Sequence, residues 1–148
     1  MIAVVQRVSR ASVRVAGETV GAIGAGLVVL VAIERDDGEK HLDWLSGKVV
    51  EMRVFDDSDG RMNRSALDVG ADLLIVSQFT LAGDLSRGRR PGFERAAPPG
   101  TARALFDAFV ARLRRTPLRI ETGRFRERMD VELVNDGPVT FVLRTPAP

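Results

Sequence analysis

The sequence predicts an α+β domain, a mostly β scaffold of short strands with two helices packed on it. Three observations carry this. Branched apolar runs of strand length recur near both ends of the chain, and two intervening stretches repeat apolar residues at helical spacing. No internal repeat or low-complexity linker divides residues 1–148. At 148 residues, with 45% apolar and 28% charged side chains, the chain has the size and balance of one folded domain.

Residues 2–8 and 12–15 alternate small or polar with branched side chains, and Gly17-Glu18 marks a turn before a strand over 19–23. Residues 27–33 are continuously apolar and rich in Val and Ile, which fits a strand buried on both faces. After the polar stretch 34–40, in which Asp36 or Asp37 offers a helix cap, Leu42, Leu45, Val49 and Met52 form one helical stripe ending near Arg53. Asp56-Asp57-Ser58-Asp59-Gly60 has the chemistry of a turn. A second buried strand runs over 73–81, its far end polar, and leads into an Arg-, Gly- and Pro-rich loop over 84–100. Ala104, Leu105, Phe109, Ala111 and Leu113 mark a second helix, closed by Thr116-Pro117. Strands over 118–121, 129–134 and 138–144 finish the chain, the last two joined by a turn at Asn135-Asp136-Gly137-Pro138.

Composition excludes most catalytic machinery. There is no cysteine, so disulfides, thiolate nucleophiles and Cys-ligated metals are absent. His41 is the single histidine and stands among charged neighbours, which reads as a surface residue rather than a base. Neither Lys40 nor Lys48 lies in an apolar stretch that would lower its pKa. The acidic run at 56–60 lacks the spacing of a calcium loop, and the glycines at 21, 24 and 26 lack the Lys-Ser/Thr of a phosphate loop. No metal and no cofactor are expected. The opening residues carry charge and no cleavage site, and the apolar stretch at 24–33 is too short to span a bilayer, so a cytoplasmic protein without a membrane partner is expected.

Charge is unevenly distributed. Residues 84–128 hold twelve arginines against five acids, a balance of +7, which leaves −5 for the rest of the chain. Such a split fits an anionic partner such as a phosphate backbone, or a basic face that is merely solvated.

Two stretches stand out from the scaffold. In Ser77-Gln78-Phe79-Thr80-Leu81 a buried strand presents three polar side chains around one aromatic, enough to orient a ligand without an ionisable group. In Asn135-Asp136-Gly137-Pro138-Val139-Thr140 the Gly-Pro pair permits a cis bond and a close approach to the main chain. Each alone also reads as ordinary scaffold. Paired, and joined by Val4-Val5-Gln6-Arg7-Val8, Gly60-Arg61-Met62-Asn63 and Arg90-Pro91-Gly92-Phe93 in the same order, they resemble the D-aminoacyl-tRNA deacylases over nearly the whole chain.

The resemblance implies an α/β/β-layered homodimeric hydrolase that cleaves the ester between a D-amino acid and the terminal ribose of tRNA, and glycine mischarged onto alanine tRNA. It implies that Gly137-Pro138 is cis and reaches into the partner subunit's active site as the chiral filter. Ser77, Gln78, Phe79 and Thr80 would line the catalytic pocket at the aminoacylated 3′ end, with the ribose 2′-hydroxyl helping to activate water. One departure is visible: where the family usually has Phe-Gly-Ala before a Met, this chain has Phe125-Arg126-Glu127 and then Arg128-Met129. An enzyme without a usable His, Cys or Lys must borrow reactivity from its substrate, and an RNA terminus supplies a hydroxyl beside the ester.

Two other readings remain. A non-catalytic RNA-binding module would use the arginines as its footprint, although seven Phe, one Trp and no Tyr make few stacking platforms. A small-molecule esterase built on Thr80 would need a base that the sequence does not offer.

Overall fold

Alternation carries the first strand further than its polar interruption suggests. In the computed structural model, which describes residues 1–146, β1 (Ile2–Val15) is a single strand of 14 residues. Val5, Val8, Ala11 and Val13 are buried on either side of exposed Ser9 and Arg10, so the two short strands expected here are one. Ala16 and Gly17 both take positive φ, 51° and 80°, the paired left-handed geometry of a two-residue hairpin. β2 (Glu18–Ile23) returns along the second half of β1, and β3 (Gly26–Ala32) pairs antiparallel with the first half.

Helix α1 (Glu39–Glu51) buries Leu42, Leu45, Val49 and Val50. Its N-cap is Gly38, not Asp36 or Asp37. The Asp37 carboxylate is occupied by the Glu34 N–H at 2.6 Å and the Met1 ammonium at 2.5 Å. His41 is not the surface residue expected: its side chain is 13% exposed, and Nδ1 accepts the Gly38 N–H at 3.0 Å. The imidazole is thus committed to capping its own helix.

The short strands β4 (Phe55–Asp56) and β5 (Met62–Arg64) frame the acidic turn. There Asp57 Oδ1 accepts the N–H groups of Asp59 at 2.9 Å and Arg61 at 3.0 Å, and the Arg61 N–H foremost holds its carboxyl below the ordinary value. A third helix that the sequence reading missed, α2 (Ala66–Val69), is one turn capped by Ser65, whose Oγ accepts the Asp68 N–H while the Asp68 carboxylate accepts the Ser65 N–H. β6 (Asp72–Ser77) then runs parallel to β3. It stops at Ser77 rather than Leu81, because a 3-10 turn takes over at Phe79–Ala82.

Helix α3 (Pro99–Leu113) buries Ala102, Phe106, Phe109, Val110 and Leu113, spaced at i, i+4, i+7, i+8 and i+11. Ala104 and Ala111, expected on that stripe, face solvent, since residues 104, 105, 109 and 111 do not share one helical face. β7 (Ile120–Thr122) lies parallel beside β6, and β8 (Asp130–Arg144) runs 15 residues antiparallel to β1. The two final strands expected from sequence are therefore one.

The sheet order is β2-β1-β3-β6-β7, with β8 on the other edge of β1. Alternate residues of β3 and β6 divide between two cores. Leu27, Val29, Val31, Leu73 and Ile75 meet α1 and α3, whereas Val28, Leu74 and Val76 meet Val8, Val13 and Ile23 inside the curl of the sheet. Gly21 permits that curl, since a Cβ there would stand 2.6 Å from the Thr122 carbonyl oxygen. The result is a single α+β domain with a nearly closed sheet and α/β/β layers. Among the described residues no helix is long and apolar enough to cross a membrane.

Candidate active site

The end of β6 builds one half of the site. Gln78 donates its N–H to the Val31 carbonyl at 2.7 Å, a last bond across from β3, and its φ of −138° and ψ of 74° then turn the chain into the 3-10 turn. The first bond of that turn runs from the Leu81 N–H to the Gln78 carbonyl, so its ladder leaves the N–H groups of Phe79 and Thr80 unused. Phe79 is displayed at 55% exposure and held by Phe93, with ring centroids 5.0 Å apart. Gly83 permits this contact, because a Cβ would stand 3.1 Å from the Phe93 ring and 2.9 Å from the Thr80 carbonyl oxygen. Gln78 Nε2 donates to Thr80 Oγ1 at 2.5 Å.

A cleft of about 570 Å³ opens beside this turn. Ser77, Gln78 and Phe79 line it, as do Phe125, Arg126 and Met129. Thr80 is exposed next to the cleft and does not line it. The Phe125 ring packs on Phe106 at 6.0 Å and lies under the Arg103 guanidinium at 5.4 Å. Arg126 has φ 63°, the left-handed region that glycine occupies freely and other residues rarely. The departure in sequence at Phe125-Arg126-Glu127 thus keeps a glycine-like backbone while adding a guanidinium to the cleft wall. Asp68 and Asp84, whose carboxyls are also lowered, foremost by the backbone N–H groups of Ser65 and Ser86, lie outside the cleft, as does Asp57. So does Arg112, whose pKa is raised foremost by its hydrogen bond to Asp43.

The second motif is a bulge rather than a turn between strands. Gln6 pairs with Thr140 and Val8 with Asn135, so residues 136–139 lie opposite Arg7 alone. Asn135 closes the neck: Nδ2 donates to Thr140 Oγ1 at 3.0 Å, and Oδ1 accepts the Val139 N–H at 3.1 Å. Within it Gly137 has φ 128°, and the Gly137–Pro138 peptide is cis.

Arg7 holds the bulge from below. It is only 8% exposed, and its Nε donates to the Asp136 carbonyl at 3.2 Å and lies 3.4 Å from the Asp136 carboxylate. Its Nη1 donates to the Val54 carbonyl at 2.8 Å and to Asp56 Oδ1 at 3.2 Å. In the sequence Arg7 belongs to the opening strand and to the Val4-Val5-Gln6-Arg7-Val8 stretch that shares the resemblance, with no role of its own. Its signal was a lone charge in alternation with buried Ala3 and Val5.

The two motifs do not meet within the chain. Gln78 is bonded to Val31, which pairs with Ala3, while the bulge faces Arg7, four residues further along β1. Three strand intervals, β8 to β1 to β3 to β6, also separate them, and no residue of 135–140 lines the cleft. Among the described residues β8 pairs only with β1 and displays Val131, Val134, Phe141 and Val142.

The family described as D-Tyr-tRNA(Tyr) deacylase matches residues 4–144. A D-aminoacyl-tRNA deacylase of Symbiobacterium thermophilum is 58% identical over 141 residues, covering 95% of this chain and 93% of the relative. One of Thermotoga petrophila is 54% identical over 143 residues, covering 97% and 96%. Among solved structures, one called c-Myc DNA Unwinding Element Binding Protein superposes with TM-score 0.94 at 42% identity, over 99% of this chain and 100% of that one. A probable eukaryotic D-amino acid tRNA deacylase shares the fold at TM-score 0.82 and 19% identity, over 96% and 97%. The match spans the Ser77–Phe79 wall, the adjacent Thr80 and the Gly137-Pro138 bulge, and on that extent the chain belongs to the D-Tyr-tRNA(Tyr) deacylase family.

Proposed function

We propose that this protein hydrolyses the ester joining a D-amino acid to the terminal ribose of tRNA, and the corresponding glycyl ester on alanine tRNA. The observation that carries the reading is the exposed bulge at 136–139, held by Arg7 and Asn135 and lying away from the cleft of its own subunit. In a homodimer the bulge of one subunit enters the cleft of the other. Its carbonyl oxygens at Gly137 and Pro138 accept hydrogen bonds from the substrate ammonium, and Ser77, Gln78, Phe79 and Thr80 hold the ester. With ammonium and ester both fixed, an L side chain is driven into the main chain while a D side chain points outward. Recognition by carbonyls ignores side-chain identity, so many D-residues fit one site.

Water attacks the ester carbonyl carbon, helped by the ribose 2′-hydroxyl, and the unused N–H groups of Phe79 and Thr80 are suited to the oxyanion that forms. The carbon–oxygen bond to the ribose then breaks, releasing D-amino acid and tRNA. Positioning of this kind accounts for a large rate gain without an ionisable protein group. The reading needs no metal or cofactor and places the protein with its tRNA substrate in the cytoplasm.

Following ester loss from D- and L-tyrosyl-tRNA tests it. The D-ester is expected to disappear catalytically and the L-ester at the rate of buffer alone, with activity lost on dilution to monomer. RNA binding without ester loss would favour a non-catalytic module, and equal loss of both esters would defeat the chiral filter. Thr80→Ala separates substrate assistance from a Thr nucleophile. Losing a hydrogen bond of about 0.5–1.5 kcal/mol lowers the rate roughly 2–13-fold. A fall of many orders of magnitude, or a trapped acyl group on Thr80, would overturn the mechanism.

A further inference from the structure

The structure sorts the twelve arginines of residues 84–128 into those already paired and those available. Arg95 pairs with Glu34 at 2.5 Å, Arg112 with Glu39 and Asp43, and Arg119 with Asp72 and Glu121. These tie elements of the fold together and leave little charge for a ligand. Arg114 and Arg115, just past the end of α3, make no ion pair among the described residues and are exposed. Both line a second cleft of about 650 Å³, together with Arg103 and Arg124.

That cleft adjoins the candidate active site. Phe125 and Glu127 belong to the walls of both, so the two clefts meet at Phe125. Arg103 already sits above the Phe125 ring at this boundary, and Arg126 lies on the active-site side of it. Asp107 and Glu127 are acids of the second cleft, and each has an arginine beside it, Arg103 at 3.4 Å and Arg124 at 3.9 Å. The surplus charge is therefore that of Arg114 and Arg115.

We propose that this second cleft binds backbone phosphates of the RNA strand whose terminal nucleotide carries the ester, with Arg114 and Arg115 as the principal contacts. The inference rests on the tRNA-ester reading above and extends it, by naming which arginines of the basic half engage RNA and where the strand leaves the site. Guanidinium groups suit phosphodiesters because their planar donors match two phosphate oxygens. Such contacts hold the strand in register without reading its bases.

The test compares two substrates of one ester. D-tyrosyl-tRNA carries the phosphates, whereas the D-tyrosyl ester of adenosine does not. For the Arg114→Gln/Arg115→Gln protein, KM for the tRNA is expected to rise about 10–100-fold, with kcat nearly unchanged. The slope of log affinity for an acceptor-stem minihelix against log salt is expected to become shallower by about one to two units. Hydrolysis of the adenosine ester stays within about twofold, because two exposed side chains outside the active-site cleft are altered. Unchanged KM and salt slope would overturn the proposal, as would an equal loss on both substrates. A loss seen instead with Arg87→Gln/Arg89→Gln/Arg90→Gln, and not with the 114/115 pair, would also overturn it by moving the strand to the loop at 84–100. If the unaltered protein hydrolyses neither ester, the deacylase reading itself fails, an outcome the minihelix-binding comparison keeps separate.

Discussion

Gly137→Ala is expected to lower kcat/KM on D-aminoacyl-tRNA by about 100-fold or more while leaving a folded protein. Gly137 has φ 128°, a region essentially closed to residues with a side chain. A Cβ there would stand 2.7 Å from Val139 Cγ2, 3.0 Å from the Val139 nitrogen and 3.3 Å from Arg7 Nη2. The first contact is a side chain that can rotate, but the second is backbone and the third a guanidinium pinned by four partners. Relief must come from movement of the bulge itself, which displaces the carbonyls proposed to hold the substrate ammonium. The strain costs roughly 1–3 kcal/mol of stability. Gly47→Ala is the matched control: nothing lies within 4 Å of its would-be Cβ, and it sits inside α1. There the substitution is expected to leave the rate unchanged and add about 0.5–1 kcal/mol. Single-turnover deacylation with thermal melts of both variants measures the pair. A near-normal rate for folded Gly137→Ala would remove the bulge from the mechanism.

Arg7→Met is the second large effect, and it reads stability and function together. The apolar stem is roughly preserved, but the carbonyls of Val54 and Asp136 lose their donor, and Asp56 and Asp136 lose their countercharge. Arg7 is buried while both carboxylates are half exposed, so water offsets part of the loss at the acids but little at the Val54 carbonyl. A destabilisation of about 2–4 kcal/mol follows from leaving buried groups unpaired. For a chain of this length that corresponds to a Tm lower by roughly 4–16 °C. Measured well below the new Tm, deacylation is expected to fall further than the folded fraction alone explains, since the bulge has lost its lower support. Arg7→Lys should recover little, because one ammonium does not reproduce a fork that serves β8 on one side and Val54 and Asp56 on the other. Full activity of folded Arg7→Met would show that the bulge holds its shape without Arg7.

Much of this protein was determined by its sequence alone. The runs at 27–33 and 73–81 read as buried strands, the second of them as far as Ser77, and Leu42, Leu45 and Val49 read as the buried face of a helix, because apolar periodicity states which face leaves water. The absence of cysteine and the isolation of His41 narrowed the chemistry, and the paired motifs at 77–81 and 135–140 pointed to the family that the whole-chain matches then established. Other features were settled only by tertiary contact. Polar Ser9-Arg10 and the Asn-Asp-Gly-Pro run both read locally as breaks, yet β1 and β8 continue through them, since each strand supplies the other's backbone partners and tolerates the irregularity as a bulge. Local spacing could not reveal that Arg7 sits beneath residue 136, because an interaction spanning 129 positions leaves no periodic trace. Nor could composition separate the arginines that tie α3 and β7 to their neighbours from Arg114 and Arg115. All are the same residue type, and only folding decides which of them finds a carboxylate within reach.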